Sequence, residues 1–207
     1  MSVLAAYRDD GPLAAGAERL APPAAARPGP LVWTVAGALP LVAAFVVWRD
    51  RLPPAAAGLV AIAIAIAAAG PAAARADAGR LAWLVPPLLR LLEYAVLLRV
   101  TVLTDHGALP ACYALLGVLA FHHYDTVYRL RHQKLAPPAW LRTASGGWDG
   151  RLLVLYALAA AGGLGPGLVV AALGLAVLFG AESIVSWLGF ARAQAQTVYV
   201  DEDLEEA

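Results

Sequence analysis

The chain has 207 residues, of which 61% are apolar and 14% charged, and its 15 basic side chains balance its 15 acidic ones. A soluble domain runs at roughly 45–50% apolar and about 25% charged, so this composition excludes a disordered chain and a basic nucleic-acid binder and points to a membrane protein. The single cysteine, Cys112, excludes an internal disulfide and a Cys-based zinc site.

Residues 1–30 are rich in Ala, Pro and Gly with scattered charge, and predict a flexible arm. Six runs then approach the ~20 apolar residues that a spanning helix needs. They are Leu31–Trp48, Ala55–Ala74, Leu81–Leu103, Ala108–Tyr128, Leu152–Leu164 and Gly167–Phe190. The fold class is therefore an all-α polytopic bundle of about six transmembrane helices over residues 31–192. In the second run Ala alternates with Ile over residues 61–67, but both are apolar and the length favours helix. The fifth run is short. The Gly162-Gly163-Leu164-Gly165-Pro166-Gly167 stretch after it reads as a tight extramembrane turn in preference to a break within the membrane, which would lower the count to five. Residues 193–207 form an acidic tail with Asp201, Glu202, Asp203, Glu205 and Glu206. Two small-residue ladders, Ala57-Ala61-Ala65-Ala69 and Ala172-Ala176-Gly180, predict helix packing.

Cytoplasmic loops carry an excess of Lys and Arg. With six spans, one side holds Arg8, Arg19, Arg27, Arg75, Arg80, Arg129, Arg131, Lys134, Arg142, Arg151 and Arg192, and the other only Arg49 and Arg51. This bias places both termini in the cytoplasm. Trp33, Trp48, Trp83 and Trp187 lie near span ends, as an aromatic belt requires. The 30 residues ahead of the first run, and its length, argue against a cleaved signal peptide. Fourteen Arg to one Lys, with abundant Ala, suggest a GC-rich bacterial source and hence a bacterial cytoplasmic membrane.

Charged side chains within hydrocarbon cost about 2.5–3.5 kcal/mol on insertion scales, so they turn inward and find partners. On the third run Arg90 and Glu93 are three apart and share a helix face, which lets them pair. Arg99 lies nearer the far surface and can snorkel. On the fourth run His122, Asp125 and Arg129 share one face, and Asp125–Arg129 has the spacing of an i,i+4 salt bridge. His123 points about 100° away from His122, so the two histidines cannot serve one metal from a straight helix, and no metal site is assigned. Glu182 lies in the sixth run at a similar depth, about 12 Å from its cytoplasmic end. These positions predict one cytoplasm-facing chamber. His122 and Asp125 are the catalytic candidates. Arg90, Arg129, Asp149 and Arg151 are the phosphate or headgroup candidates, and Glu93, His123, Tyr124 and Glu182 support them. The glycines of Gly146-Gly147-Trp148-Asp149-Gly150-Arg151 let backbone approach a ligand at the chamber mouth.

Four segments carry a resemblance. They are Arg90-Leu91-Leu92-Glu93-Tyr94, the run from Phe121 to Arg131, Pro137-Pro138-Ala139-Trp140-Leu141, and Gly146 to Arg151. Together, over roughly residues 81–192, they resemble an uncharacterised bacterial membrane domain family often found C-terminal to CDP-alcohol phosphatidyltransferase domains. The resemblance implies a setting in phospholipid headgroup chemistry and supplies no mechanism. The phosphatidyltransferase motif itself, Asp-x-x-Asp-Gly-x-x-Ala-Arg followed by Gly-x-x-x-Asp-x-x-x-Asp, is incomplete here. Asp149-Gly150 lacks the preceding Asp and the following Ala-Arg, and Arg129 stands four residues after Asp125 where a second Asp would be needed. A two-metal centre needs more carboxylate than this.

Three functions compete at this point. The first is a domain accessory to phospholipid or polyprenol headgroup metabolism, with arginines binding phosphate and His122 and Asp125 moving protons or orienting them. The second is a small-solute transporter or channel, and the third a non-catalytic scaffold for a partner enzyme. Expected partners are the lipid bilayer, a CDP-alcohol phosphatidyltransferase-type enzyme and a second copy of the chain, with no nucleic acid. No cofactor can be assigned.

Overall fold

A computed structural model describes residues 3–19 and 28–205, with side chains described over 4–19 and 28–194. The described residues are helical throughout, joined by short turns. The helices are α1 (Val3–Tyr7), α2 (Pro12–Glu18), α3 (Pro30–Val47), α4 (Ala55–Ala73), α5 (Val85–Thr104), α6 (Leu109–His132), α7 (Ala139–Ala144), α8 (Gly147–Ala160) and α9 (Leu164–Glu205). Single 3₁₀ turns at Ala82–Leu84 and His106–Ala108 lead into α5 and α6.

Proline sets several helix starts, because its fixed φ suits the first turn and its missing N–H is not needed there. Pro12 and Pro30 open α2 and α3, and prolines also stand in the first turns of α5 and α6. The predicted runs thus become α3 to α6, α8 and α9. The turn preferred over a break after the fifth run is a helix stop built on glycine. Gly162 adopts φ 78°, and the Gly163 amide donates to the Leu158 carbonyl at 2.8 Å while the Gly162 amide donates to Ala159 at 3.1 Å. This pair of bonds closes a Schellman cap.

Three described helices are long and apolar enough to cross a membrane: Pro30–Val47, Ala55–Ala73 and the Leu164–Gln194 part of α9. They mark the protein as membrane-associated. The other three predicted runs are less apolar or shorter. α5 carries Arg90, Glu93 and Arg99, α6 ends in a polar stretch from His122, and α8 has only 14 residues. Large apolar side chains are exposed along α3 (Val32, Val35, Leu39, Val42, Val46) and α9 (Val170, Leu173, Val177, Val185), and such contiguous patches mark membrane or partner surfaces.

α4 folds back along α3, α6 packs on α9, and α8 is held between α4 and α5. The predicted ladder on α4 is a packing seam. Ala61, Ala65 and Ala69 are buried, and a Cβ on Gly37 of α3 would come within 2.6 Å of the Ala68 Cβ. The α9 ladder is not a seam within this chain, because Ala172 is buried but Ala176 is exposed. α9 continues as helix through the predicted acidic tail to Glu205, and Glu206 lies outside the described residues.

The main departure from expectation is the N-terminal arm. Residues 3–19 are not a free arm: α1 packs on α6, α2 packs on α4 and α8, and Arg8, Asp9 and Asp10 are buried. The physical reason is charge. Asp9 gives Arg151 and the two imidazoles of α6 a carboxylate, Asp10 accepts from Trp148, and Arg8 pairs with Asp10. The remainder of the arm, residues 20–27, lies outside the described residues.

Candidate functional site

The expected single chamber is two ion-pair networks, both anchored on α6. The first is centred on Asp9. Its backbone is left-handed (φ 53°), a conformation that Asp tolerates better than most residues. One carboxylate oxygen of Asp9 accepts from Arg151 Nη2 at 2.7 Å. The same guanidinium donates from Nε to Glu93 at 2.6 Å and from Nη2 at 3.2 Å. Glu93 therefore pairs with Arg151 on α8, not with Arg90 one turn away on α5. His122 Nε2 and His123 Nε2 approach different oxygens of Asp9, at 3.6 and 3.5 Å. A carboxylate placed between the two rings thus collects both, though neighbouring histidines diverge on the helix. Burial pushes the Asp9 carboxyl up, but the Arg151 guanidinium and the two imidazoles outweigh it and hold it well below the usual carboxylate range.

The neighbours of Asp9 extend this network. Arg8 pairs with Asp10 at 2.6 Å and donates to the Ala69 carbonyl of α4 at 3.0 Å. Asp10 accepts from Trp148 Nε1 at 2.9 Å. Asp149, expected at a ligand mouth, instead caps α2, accepting from the amides of Gly11, Leu13 and Ala14 at 2.5, 3.0 and 2.9 Å. The glycines around it serve this close approach. A Cβ on Gly147 would stand 2.2 Å from the Gly11 nitrogen.

The second network is centred on Arg129. It pairs with Asp125 at 2.8 Å, the predicted i,i+4 bridge, and in bidentate fashion with Glu182 of α9 at 2.9 and 2.7 Å. Trp187 Nε1 donates to Asp125 at 3.1 Å. His122 does not pair with Asp125, and its ring stacks on Phe179 with centroids 3.9 Å apart. Tyr124 is exposed and lies outside both networks. Tyr94 takes its place, with its hydroxyl 2.9 Å from His123 Nδ1. Arg99 turns to the Arg49 carbonyl at the end of α3.

Of the four phosphate candidates, then, Arg129 and Arg151 are neutralised by two carboxylates each and Asp149 caps a helix. Arg90 is different. It donates to the Tyr7 carbonyl at 2.9 Å and has no acidic partner among the described residues. It lines a small cavity with Ala6, Tyr7, Asp9, His122, His123, Thr126, Pro137 and Arg142. Five buried polar atoms of these residues lack a hydrogen-bond partner: Asp9 Oδ1, Arg90 Nε, His123 Nε2, Thr126 Oγ1 and Arg142 Nε. Unsatisfied buried groups are individually rare, and these five all belong to residues that line one cavity. The cavity has room for about one water or one ligand oxygen.

Asp9, Thr126 and Arg142 carried no signal that set them apart in the sequence, because nothing local distinguishes them from solvated loop and helix-end residues. Asp10-Gly11-Pro12 does have the form of a helix start, which was a usable clue that the arm is structured. Among the described residues no group of three His, Cys, Asp or Glu side chains is arranged to hold a metal ion.

No curated protein and no solved structure matches the chain. A family model described as a family of unknown function (DUF5941) matches residues 1–203, well beyond the segments that carry the sequence resemblance, and includes the buried N-terminal helices. The chain belongs to that family.

Proposed function

We propose that this protein is a multi-pass domain of a bacterial cytoplasmic membrane, crossing it about six times with both termini inside, and that it serves phospholipid or polyprenol headgroup metabolism by binding a phosphate-bearing group at the Asp9 end of the bundle. One observation carries the reading. Arg8, Arg129 and Arg151 each form a salt bridge with a carboxylate, whereas Arg90 and Arg142 form none among the described residues and line one cavity, with Asp9 in the same lining. Two guanidinium groups without a salt bridge keep donors available for a phosphate. One phosphate oxygen would enter the cavity beside Thr126 and His123, and the rest of the group would lie at its mouth by Arg142. His123, in contact with Asp9 and Tyr94, is the group best placed to exchange a proton with it. Asp125 has a positioning role here, since it holds Arg129 and Trp187. The incomplete carboxylate motif argues for an accessory role beside a CDP-alcohol phosphatidyltransferase-type enzyme.

The test is lipid mass spectrometry on a deletion strain complemented with wild type, Arg90→Gln or Arg142→Gln. A headgroup profile that wild type restores and neither variant does, with both variants inserted at normal levels, supports the proposal. Normal restoration by both variants would falsify it and favour the scaffold reading. That second reading draws support from the near-complete neutralisation of the two networks, which is how a purely structural polar core is built. A transport path is less well supported, because Arg99 and Thr101 in the other half are bonded to the Arg49 and Leu97 carbonyls.

A further inference from the structure

Ala6, Tyr7 and Asp9 line the Asp9 cavity from the N-terminal segment, and Arg90, His123 and Arg142 line it from the helical bundle. Residues 3–10 are held to that bundle by polar contacts. Arg8 donates to the Ala69 carbonyl, Arg90 to the Tyr7 carbonyl and Arg151 to the Asp9 carboxylate. The Trp148 indole donates to Asp10, and the Trp148 amide to the Asp9 carbonyl at 3.2 Å. Apolar burial contributes little here. Of the described side chains in this stretch only Ala6 is apolar and buried, and none belongs to the apolar core. α2 is held differently, by its amides on Asp149 and by Ala14 in the core. Gly11 thus divides a stretch bound by exchangeable polar contacts from one that is capped and packed.

We infer that residues 3–10 are an autoinhibitory strap, with the Asp9 carboxylate standing where the charge of a ligand would bind, and that a phosphate monoester dianion displaces them. The inference rests on the headgroup reading above and adds how that site is regulated. Size is the first argument. The cavity has room for about one water or one ligand oxygen, whereas a phosphate carries four oxygens around its phosphorus. The whole group enters only if a wall moves, and residues 3–10 are the wall without a place in the apolar core. Charge is the second argument. With Asp9 withdrawn, the guanidinium groups of Arg90, Arg142 and Arg151 are set against one carboxylate, Glu93, with the imidazoles of His122 and His123 beside them. A phosphate monoester carries close to two negative charges at neutral pH, which balances that surplus. Arg151 would keep Glu93 on Nε and turn Nη2 from Asp9 to the phosphate. Strap and ligand compete for the same cations, so each weakens the other by the same factor.

The test uses the full chain in phosphatidylcholine nanodiscs with two phosphate monoester probes: glycerol 3-phosphate in solution, and phosphatidic acid in the disc. Binding is read by calorimetry and the strap by amide hydrogen exchange. A saturating probe should speed exchange in residues 3–10 about tenfold or more and leave residues 11–18 unchanged. The arm that acts tells a soluble source of the phosphate from a lipid headgroup. Asp9→Asn removes the competing charge and should bind the same probe about tenfold more tightly, since more of the protein is then competent to bind. Should Asp9→Asn not fold, the exchange map of the wild type decides. Probe binding with residues 3–10 unchanged, or with equal affinity in Asp9→Asn, overturns the strap and leaves the headgroup reading standing. An equal effect of sodium chloride at matched ionic strength, or faster exchange across residues 11–18 as well, also overturns it. Binding of neither probe, to wild type or to Asp9→Asn, overturns the strap and the headgroup reading together.

Discussion

At the residue scale, the two networks divide arginines that look alike in the sequence into structural and available ones. Arg151 is structural. Removing it leaves Asp9 and Glu93 buried without their cation, and breaking a buried pair in this way costs about 3–5 kcal/mol. Arg151→Met should therefore lower the unfolding midpoint sharply in nanodiscs, while Arg49→Met, at an exposed pair, should leave it unchanged. Asp9 gives the protein an acid-sensitive element. Its folded-state pKa lies below the unfolded value of about 3.9. Its contribution is thus fully present above the unfolded pKa and is lost as pH falls through the folded one. Thermal melts should show stability dropping below about pH 4, and Asp9→Asn, which keeps a side chain that accepts the left-handed backbone, should flatten that limb. An acid limb of unchanged steepness in Asp9→Asn would contradict this account. None of these pairings was legible beforehand, except Asp125–Arg129, whose partners lie one helical turn apart. The pairs Asp9–Arg151 and Glu93–Arg151 span 142 and 58 residues, and no local pattern encodes a partner at that distance.

At the element scale, helix positions were legible because an apolar run of spanning length has few other uses, and because Gly162 and the prolines punctuate the chain. α1 and α2 were not legible, since their Ala-Pro-Gly composition matches that of a linker. What orders α2 is a cap supplied by another helix. Asp149 fills the role that a side chain at Gly11 would usually play, accepting from the orphan amides of the first turn. Asp149→Ala should cost about 1–2 kcal/mol, read as faster amide exchange confined to residues 11–18 and earlier proteolysis after Glu18. Gly147→Ala should act on the same interface by a different route. Its φ of 59° and the 2.2 Å approach to the Gly11 nitrogen leave no room for a methyl group. The two variants should share an exchange pattern, and protection of residues 11–18 at wild-type levels in either would argue against this account of α2.

At the scale of the whole molecule, the proposed topology makes a directional prediction. In a Cys112→Ala background, Asp50→Cys should react with a membrane-impermeant maleimide on intact cells, and Lys134→Cys only after permeabilisation. The reverse pattern would invert the orientation. The buried N-terminal segment also has a consequence in time. Asp9 leaves the ribosome 142 residues before Arg151, its ion-pair partner, and pairings of such separation close late. During synthesis Arg8, Asp9 and Asp10 must wait, hydrated, until α8 has been made, and the cavity around Arg90 stays open for that interval. Docking of residues 3–19 thus waits on the synthesis of α8. A truncation that removed them would not shorten the molecule at its edge but would open its interior, leaving Arg151 with Glu93 alone and without Asp9.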